Sequence, residues 1–517
     1  MRFAELEPMN GNKQQIAIVG AGINGLVAAN YLQRGGCQVT LIERADRIGG
    51  ACIEAVAEVG GIRQSYALGA SVLGLMQDFV FQQTGLAARL RTFVPTHPKY
   101  VYFPGDTEPA LIYRDPIELD KELAKKWGEC GEVEAFRADE ARVVAFLQKG
   151  YRDAVPPSLS DATAALGKAL TQLWISGSAK ALLDHYFTSD RSKIYLAMTV
   201  TESGPVSLTD PFSAFTLPLM DSGSIFGGYY GFVEGGIWKI TQELGQLNSE
   251  LGVVTHLSAT AHEADTVKGI LRFESEGREH NVGYDQLILA TDPKTAGRLV
   301  GTETEIQRTE NLHYRGSSGK LNLMFKNRVV WKHRSRAADT DAAFRFIFCV
   351  DSLDAFEQAT LRVLDDDVAY EPGFLQIYCE GGAMRQLGFQ EPFDRLNIFF
   401  KNLSLGKGGE ASPDIENQVK NTVFQLIENP LDCVWSRLLT PRDLQQLFRF
   451  PGGNLDHTML TGGQTFFDRN HSGDPTTGFY NFGSLANVYL CAAGSYPCGS
   501  IAGTPGYMCS QQLLRSS

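Results

Sequence analysis

Gln15-Ile-Ala-Ile-Val-Gly20-Ala21-Gly22-Ile23-Asn24-Gly25, then Leu26 to Arg34, Gly35-Gly36 and Gln38-Val-Thr-Leu-Ile42-Glu43, is the stretch that decides the fold. A short β-rich apolar run enters a glycine turn, a helical stretch follows, and a second apolar run ends in an acid. That order is a complete βαβ unit. Gly20 allows the tight turn, Gly22 lets backbone approach a pyrophosphate, and Gly25 lets the helix pack close to the sheet. The helix beginning near Ile23 and Asn24 points unpaired N–H groups and its positive dipole end at phosphate. Glu43, 18 residues after Gly25, ends the second strand, where ribose hydroxyls would meet it. The stretch predicts a dinucleotide site rather than a structural glycine turn.

Outward from this unit, 517 residues are too many for one ordinary core and predict two closely packed domains. Hydrophobic residues at 43% and charged residues at 21% give a globular balance. A net charge of -12 argues against a nucleic-acid partner, which needs a basic face. The polar stretch Met1 to Gln15 lacks the pattern of a secretory signal, and no apolar run is long enough to span a bilayer, so a cytoplasmic protein is expected. Nine cysteines without a CxxC pair suggest neither a metal site nor a redox dithiol.

Beyond the acid, Glu43-Arg44-Ala45-Asp46-Arg47-Ile48-Gly49-Gly50-Ala51 resembles the ExxxRxGG extension of FAD-binding amine oxidases and phytoene desaturases. That resemblance implies that Arg47 and the Gly49-Gly50 backbone run along the pyrophosphate and ribityl chain, with Arg44 and Ala51 also in the cofactor site. Asn487-Val-Tyr-Leu-Cys-Ala-Ala-Gly494 and Ser495 to Gly506 resemble the closing motif of phytoene-desaturase-type flavoproteins, which places Gly494, Ser500, Ile501 and Ala502 at the flavin. Gly231 to Ile240 resembles the family's segment ahead of a helix. Leu251 to Ala261 resembles the strand that contacts adenine near Ala261. Asp285 to Pro293, with Ala290 and Thr291, resembles the strand that closes the nucleotide domain. Pro451-Gly452-Gly453-Asn454 resembles a late segment of the phytoene-dehydrogenase-related branch. Gly69, Ala70 and Ser71 join the expected cofactor site, although Ala67 stands where relatives often carry aspartate. Tyr496 replaces the family's terminal histidine, and Cys498 and Ser500 replace glycines.

The resulting expectation is an α/β fold: a Rossmann-like, two-dinucleotide-binding FAD domain from 14–90, 225–300 and 450–517, with a discontinuous α+β substrate domain from 91–224 and 301–449. Leu321 to Phe325, Phe374 to Tyr378 and Leu396 to Phe400 read as strands of a mixed sheet over the flavin. Residues 160–200 read as helical, and Thr440-Pro441 reads as a cap with proline in the first helical position. Leu166, Leu170, Leu173, Trp174, Leu182 and Leu183 form an apolar helical face, for packing or for peripheral membrane contact.

Flavin N5 accepts hydride, so the protein mainly supplies position and electrostatics. The expected function is an FAD-dependent dehydrogenase or oxidase acting on a C–C or C–N bond of an apolar or amphipathic small molecule. An external acceptor (oxygen, a quinone or another) would take the electrons. Double-bond isomerisation without net redox, and a flavin-stabilised scaffold without turnover, are the alternatives. His457 and Tyr496 are the acid–base candidates and Tyr229 and Tyr230 candidates for cavity lining, while Cys498 reads as a buried thiol rather than a point of covalent flavin attachment. Gly22→Val is expected to abolish flavin retention by blocking backbone approach to the pyrophosphate. An unchanged yellow colour in the purified variant would count against the site.

Overall fold

The computed structural model describes residues 13–96, 98–334, 340–365, 368, 370–406, 413–476 and 478–516. Gln15–Val19 is the inner strand from which a six-stranded sheet extends both ways. Gln38–Ile42 and then Val254–His256 lie on one side, all parallel. Gln286–Leu289 and Leu485–Leu490 continue in parallel on the other, and Asn481–Phe482 closes that edge antiparallel. Connections therefore leave the central strand in opposite directions, which opens a crevice at its carboxyl end. Parallel strands bury both faces, and both are covered here. Helices Ile23–Arg34, Lys239–Glu250 and Thr504–Ser516 pack together on one face. Helix Pro293–Val300 and an antiparallel meander (Ala259–Asp265, Ile270–Ser275, Arg278–Gly283) cover the other.

A seven-stranded sheet forms the second layer, in the order Cys433–Leu439, Gly319–Phe325, Asp394–Phe400, Phe374–Tyr378, Arg345–Phe348, Lys99–Tyr102, Ala110–Ile112. The three β-like runs read from sequence are neighbours in it, and the single parallel pair, Arg345–Phe348 with Lys99–Tyr102, makes it mixed. Period-2 alternation sorts its side chains. Leu321, Leu323, Phe325, Leu396, Ile398 and Phe400 pack outward in a core with Val419 and Val423 of helix Pro413–Phe424. Lys320, Asn322, Asn397, Phe399, Gln376 and Tyr378 occupy the intervening positions and face inward.

Local signals held where they were strong. Thr440 caps helix Pro441–Phe448, its side chain accepting from the Asp443 amide in a reciprocal capping box. Leu251 to Ala261 is not one strand: Val254–His256 stays in the parallel sheet, and the chain breaks at Ser258 before Ala259–Asp265 enters the meander. Ser258 takes a left-handed φ of 50°, and its amide donates to the Ala45 carbonyl at 2.8 Å, which turns the chain out of the sheet.

The apolar helical face of residues 166–183 is internal. Trp174, Leu182 and Leu183 are buried, and the Trp174 ring lies 5.0 Å from Phe136 while its Nε1 donates to Tyr186 Oη at 3.2 Å. The face thus packs into the protein, with Leu170 and Leu173 only partly buried against the core. Among the described residues no helix is long and apolar enough to cross a membrane. Trp174→Ala is expected to lower the unfolding free energy by about 3–5 kcal/mol. Chemical denaturation checks this, and a loss below about 1 kcal/mol would mean the face is not core.

Candidate flavin site

The glycine turn leaves the central strand directly into the crevice. Gly20 has φ +103°, and a Cβ there would meet the Ala290 carbonyl oxygen at 2.7 Å. At Gly25 a Cβ would lie 2.0 Å from the Gly20 carbonyl oxygen, so the helix touches the strand through a glycine surface. Gly22 differs: its φ of -71° suits any residue, and an added Cβ would meet nothing within 4 Å. It faces a cavity of about 1250 Å³. The need for glycine at position 22 thus comes from what the cavity receives.

The walls of that cavity collect most of the residues expected from sequence. Gly20, Gly22, Ile23, Asn24, Glu43, Arg44, Arg47, Gly49, Gly50 and Ala51 line it, as do Gly69, Ala70, Ser71, Tyr230, Ala261, Ala290, Thr291, His457, Ser500 and Ile501. Residues of the 20–51 stretch and Ala492, Ala493, Gly499, Ser500 and Ile501, far apart in the chain, line the same cavity. Glu43 accepts from the Ala21 and Ala45 amides, each at 2.8 Å, and each oxygen keeps a further lone pair for a ribose hydroxyl. Asn24 Oδ1 is buried without a hydrogen-bond partner. Ser500 and Ile501 hold left-handed φ values of 57° and 59°, a strained conformation for a β-branched residue, at the wall the flavin motif predicts. An orphaned acceptor, an open glycine and two strained residues facing one cleft fit a bound flavin dinucleotide.

Other expectations are corrected. Tyr496 lies behind the wall, fully buried, with ring centroids of Tyr151 and Phe479 at 6.0 and 5.9 Å. Burial pushes its hydroxyl well above the usual tyrosine range, which removes it from proton transfer. Gly494, Cys498 and Ala502 also lie outside the lining. Gly494 accepts from His471 Nε2 at 3.0 Å, and burial raises the Cys498 thiol well above its usual value, so attachment through its thiolate is unsupported. Tyr229 is turned away under the Arg114 guanidinium, 3.9 Å from its ring centroid. Gly25 supports the site from behind. Arg47 lines the cleft but pairs with Asp46 at 3.0 Å and is largely exposed.

Sequence reading missed the groups opposite the glycine turn. Lys320, at an inward position of Gly319–Phe325, donates to the carbonyls of Ala67, Gly69 and Ala70 at 2.7, 2.8 and 3.1 Å. Burial pulls its pKa from 10.5 down to about 7, opposed by the Glu380 carboxylate. A lysine at the inward phase of an apolar strand was the available signal. Glu202, Gln376, Tyr378, Phe399 and Asp456 complete this wall. Asp456 accepts from the Gly499 amide at 3.0 Å, and Arg469 donates to the Ala493 carbonyl at 2.8 Å, so a buried acid and a buried base pin the terminal motif.

His457 lines the cavity with φ 64°, but burial lowers its pKa from 6.5 to about 4, opposed by Asp292. It is neutral throughout the neutral range, not poised within it. Burial likewise lowers His471 from 6.5 to about 3. Unfolded, both titrate near their ordinary value. As pH falls from about 6.5 towards 4, the unfolded chain takes up protons that the folded chain refuses, and stability declines. Denaturation across this window should show that decline, and His471→Asn should flatten it. An identical slope in the variant would exclude the histidine as a source.

The comparisons agree with the geometry. The family model for flavin containing amine oxidoreductases matches residues 23–366. A rat protein described as pyridine nucleotide-disulfide oxidoreductase domain-containing protein 2 is 24% identical, across 96% of this chain and 93% of its own. The zeta-carotene-forming phytoene desaturase of Myxococcus xanthus is 28% identical over 61% of each chain. Putrescine oxidase, solved with putrescine bound, superposes with a TM-score of 0.58 over 98% of both chains at 13% identity, a likeness of fold. The turn, the cleft and the family match together make FAD the cofactor and the chain an oxidoreductase: it belongs to the flavin-containing amine oxidoreductase family.

Proposed function

We propose that this flavoprotein is a desaturase-like dehydrogenase or oxidase that removes hydride from a C–C or C–N bond of a mainly apolar small molecule. The observation that carries the reading is a single cavity shared by the glycine turn and the inner face of the seven-stranded sheet. Its volume of about 1250 Å³ exceeds the ~300–1,000 Å³ of common ligand pockets, which leaves room for a second molecule beside a dinucleotide.

Bound FAD supplies the hydride acceptor. The chain supplies the rest. Val72, Tyr230 and Phe399 give the substrate side apolar walls that exclude water and press a carbon against the acceptor. In its neutral form Lys320 Nζ donates to only two of the Ala67, Gly69 and Ala70 carbonyls and keeps a lone pair that can take up the proton that leaves with the hydride; the resulting ammonium then donates to all three. Electrons then pass to an external acceptor.

Anaerobic mixing of the FAD-loaded protein with candidate substrates tests this reading. Lasting loss of flavin absorbance is expected, faster as pH rises through about 7, where Lys320 sheds its proton. Lys320→Met is expected to keep the flavin but slow its bleaching by about 10²-fold or more. Product without lasting bleaching would replace dehydrogenation by isomerisation. An unchanged rate in the variant would remove Lys320 from the chemistry.

A further inference from the structure

One polar group on the substrate-side wall is unused by this chemistry. Glu202 lies in the turn Val200–Ser203 and lines the cavity. Its Oε1 accepts from Gln376 Nε2 at 3.2 Å, and Gln376 Oε1 accepts from Tyr378 Oη at 2.5 Å. Gln376 and Tyr378 are two apart on one strand and so share a face. The relay runs one way, from Tyr378 through Gln376 to Glu202, and commits both atoms of the amide. Glu202 Oε2 has no hydrogen-bond partner among the described residues.

The surroundings fix this carboxylate in place. Lys401, fully buried, donates to the Glu202 backbone carbonyl and to Ser318 Oγ, the latter at 2.7 Å. Burial raises the Glu202 carboxyl, Lys401 opposes the rise, and Asp456 and Asp221 reinforce it. Around it the wall turns apolar at Val72, Tyr230 and Phe399. A hydrocarbon filling that space would strip water from an acceptor and return no bond, a desolvation cost that weakens its binding.

We propose that the substrate is amphipathic, an apolar body with one terminal hydrogen-bond donor (hydroxyl or amine), and that Glu202 Oε2 receives that donor. The proposal rests on the reading of this cavity as the substrate site. It assigns orientation to Glu202, with Gln376 and Tyr378 as positioning residues. A few placed polar groups in an apolar pocket fix the direction of a ligand, and here they would decide which of its carbons meets the flavin.

The test uses the FAD-loaded full chain with alkanes, alkan-1-ols and alkan-1-amines of matched length. Calorimetry gives each Kd, and flavin absorbance is followed anaerobically in the same samples. The alcohol or the amine is expected to bind about tenfold or more tighter than the alkane, the scale of one hydrogen bond to a charged group. Whichever is tighter identifies the donor. Glu202→Gln, verified by retained flavin colour and melting temperature, is expected to collapse the difference for the amine. Equal affinity of the wild type for all three overturns the proposal, whether or not the variant folds. So does an undiminished amine preference in Glu202→Gln. Bleaching by the alkane at equal affinity would sink this inference and leave the redox reading standing. Selective binding without bleaching by any compound would do the reverse.

Discussion

The contact on which the rest depends is the approach of helix Ile23–Arg34 to strand Gln15–Val19, so close that Gly25 leaves no room for a methyl group against the Gly20 carbonyl. This contact sets the angle at which the helix N-terminus meets the crevice, and with it where backbone N–H groups can face phosphate. The neighbouring strands take their register from the same strand: Ile18 lies opposite both Leu41 and Ile288. Widening the contact by an ångström or two would move the dipole end, the Glu43 carboxylate and the Ala290 wall together, because all three are bonded or packed to the turn.

A second constraint joins the two sheets. Lys320 extends from the seven-stranded sheet to the carbonyls of Ala67, Gly69 and Ala70, so one ammonium spans the cavity's two walls. Its three protons match three acceptors, which favours the charged form, while burial favours the neutral one. Burial prevails, drawing the lysine down towards neutrality and making one residue both a strut and a titrating group.

What could be read from sequence was whatever is encoded locally. The βαβ unit, the Thr440 cap and the inner strands carry their geometry in spacing alone, and each is present. The cradle residues followed because the glycine turn and its extension are contiguous. Lys320, Glu202 and Gln376 escaped because their meaning comes from pairing: each comes from a different element, two strands and a turn, and only tertiary packing brings them to one cavity. Tyr496 misled for the opposite reason. Its place in the terminal motif pointed to the flavin, yet its ring turns into the aromatic cluster of Tyr151, Phe466 and Phe479. His457 does line the cleft, but its burial, which a lone histidine in a sequence does not reveal, keeps it neutral in the neutral range.

The six-stranded sheet joins Gln15–Val19 to Leu485–Leu490 across a single intervening strand. During synthesis on the ribosome, the amino-terminal unit emerges early, and its sheet must wait for nearly the whole polypeptide before that edge is complete. Folding is thereby weighted to contacts of extreme sequence separation, which form slowly and leave strand edges open meanwhile. Until the last strand is made, that edge of the sheet and the part of the cavity lining supplied by Ala492, Ala493 and Gly499 to Ile501 are incomplete.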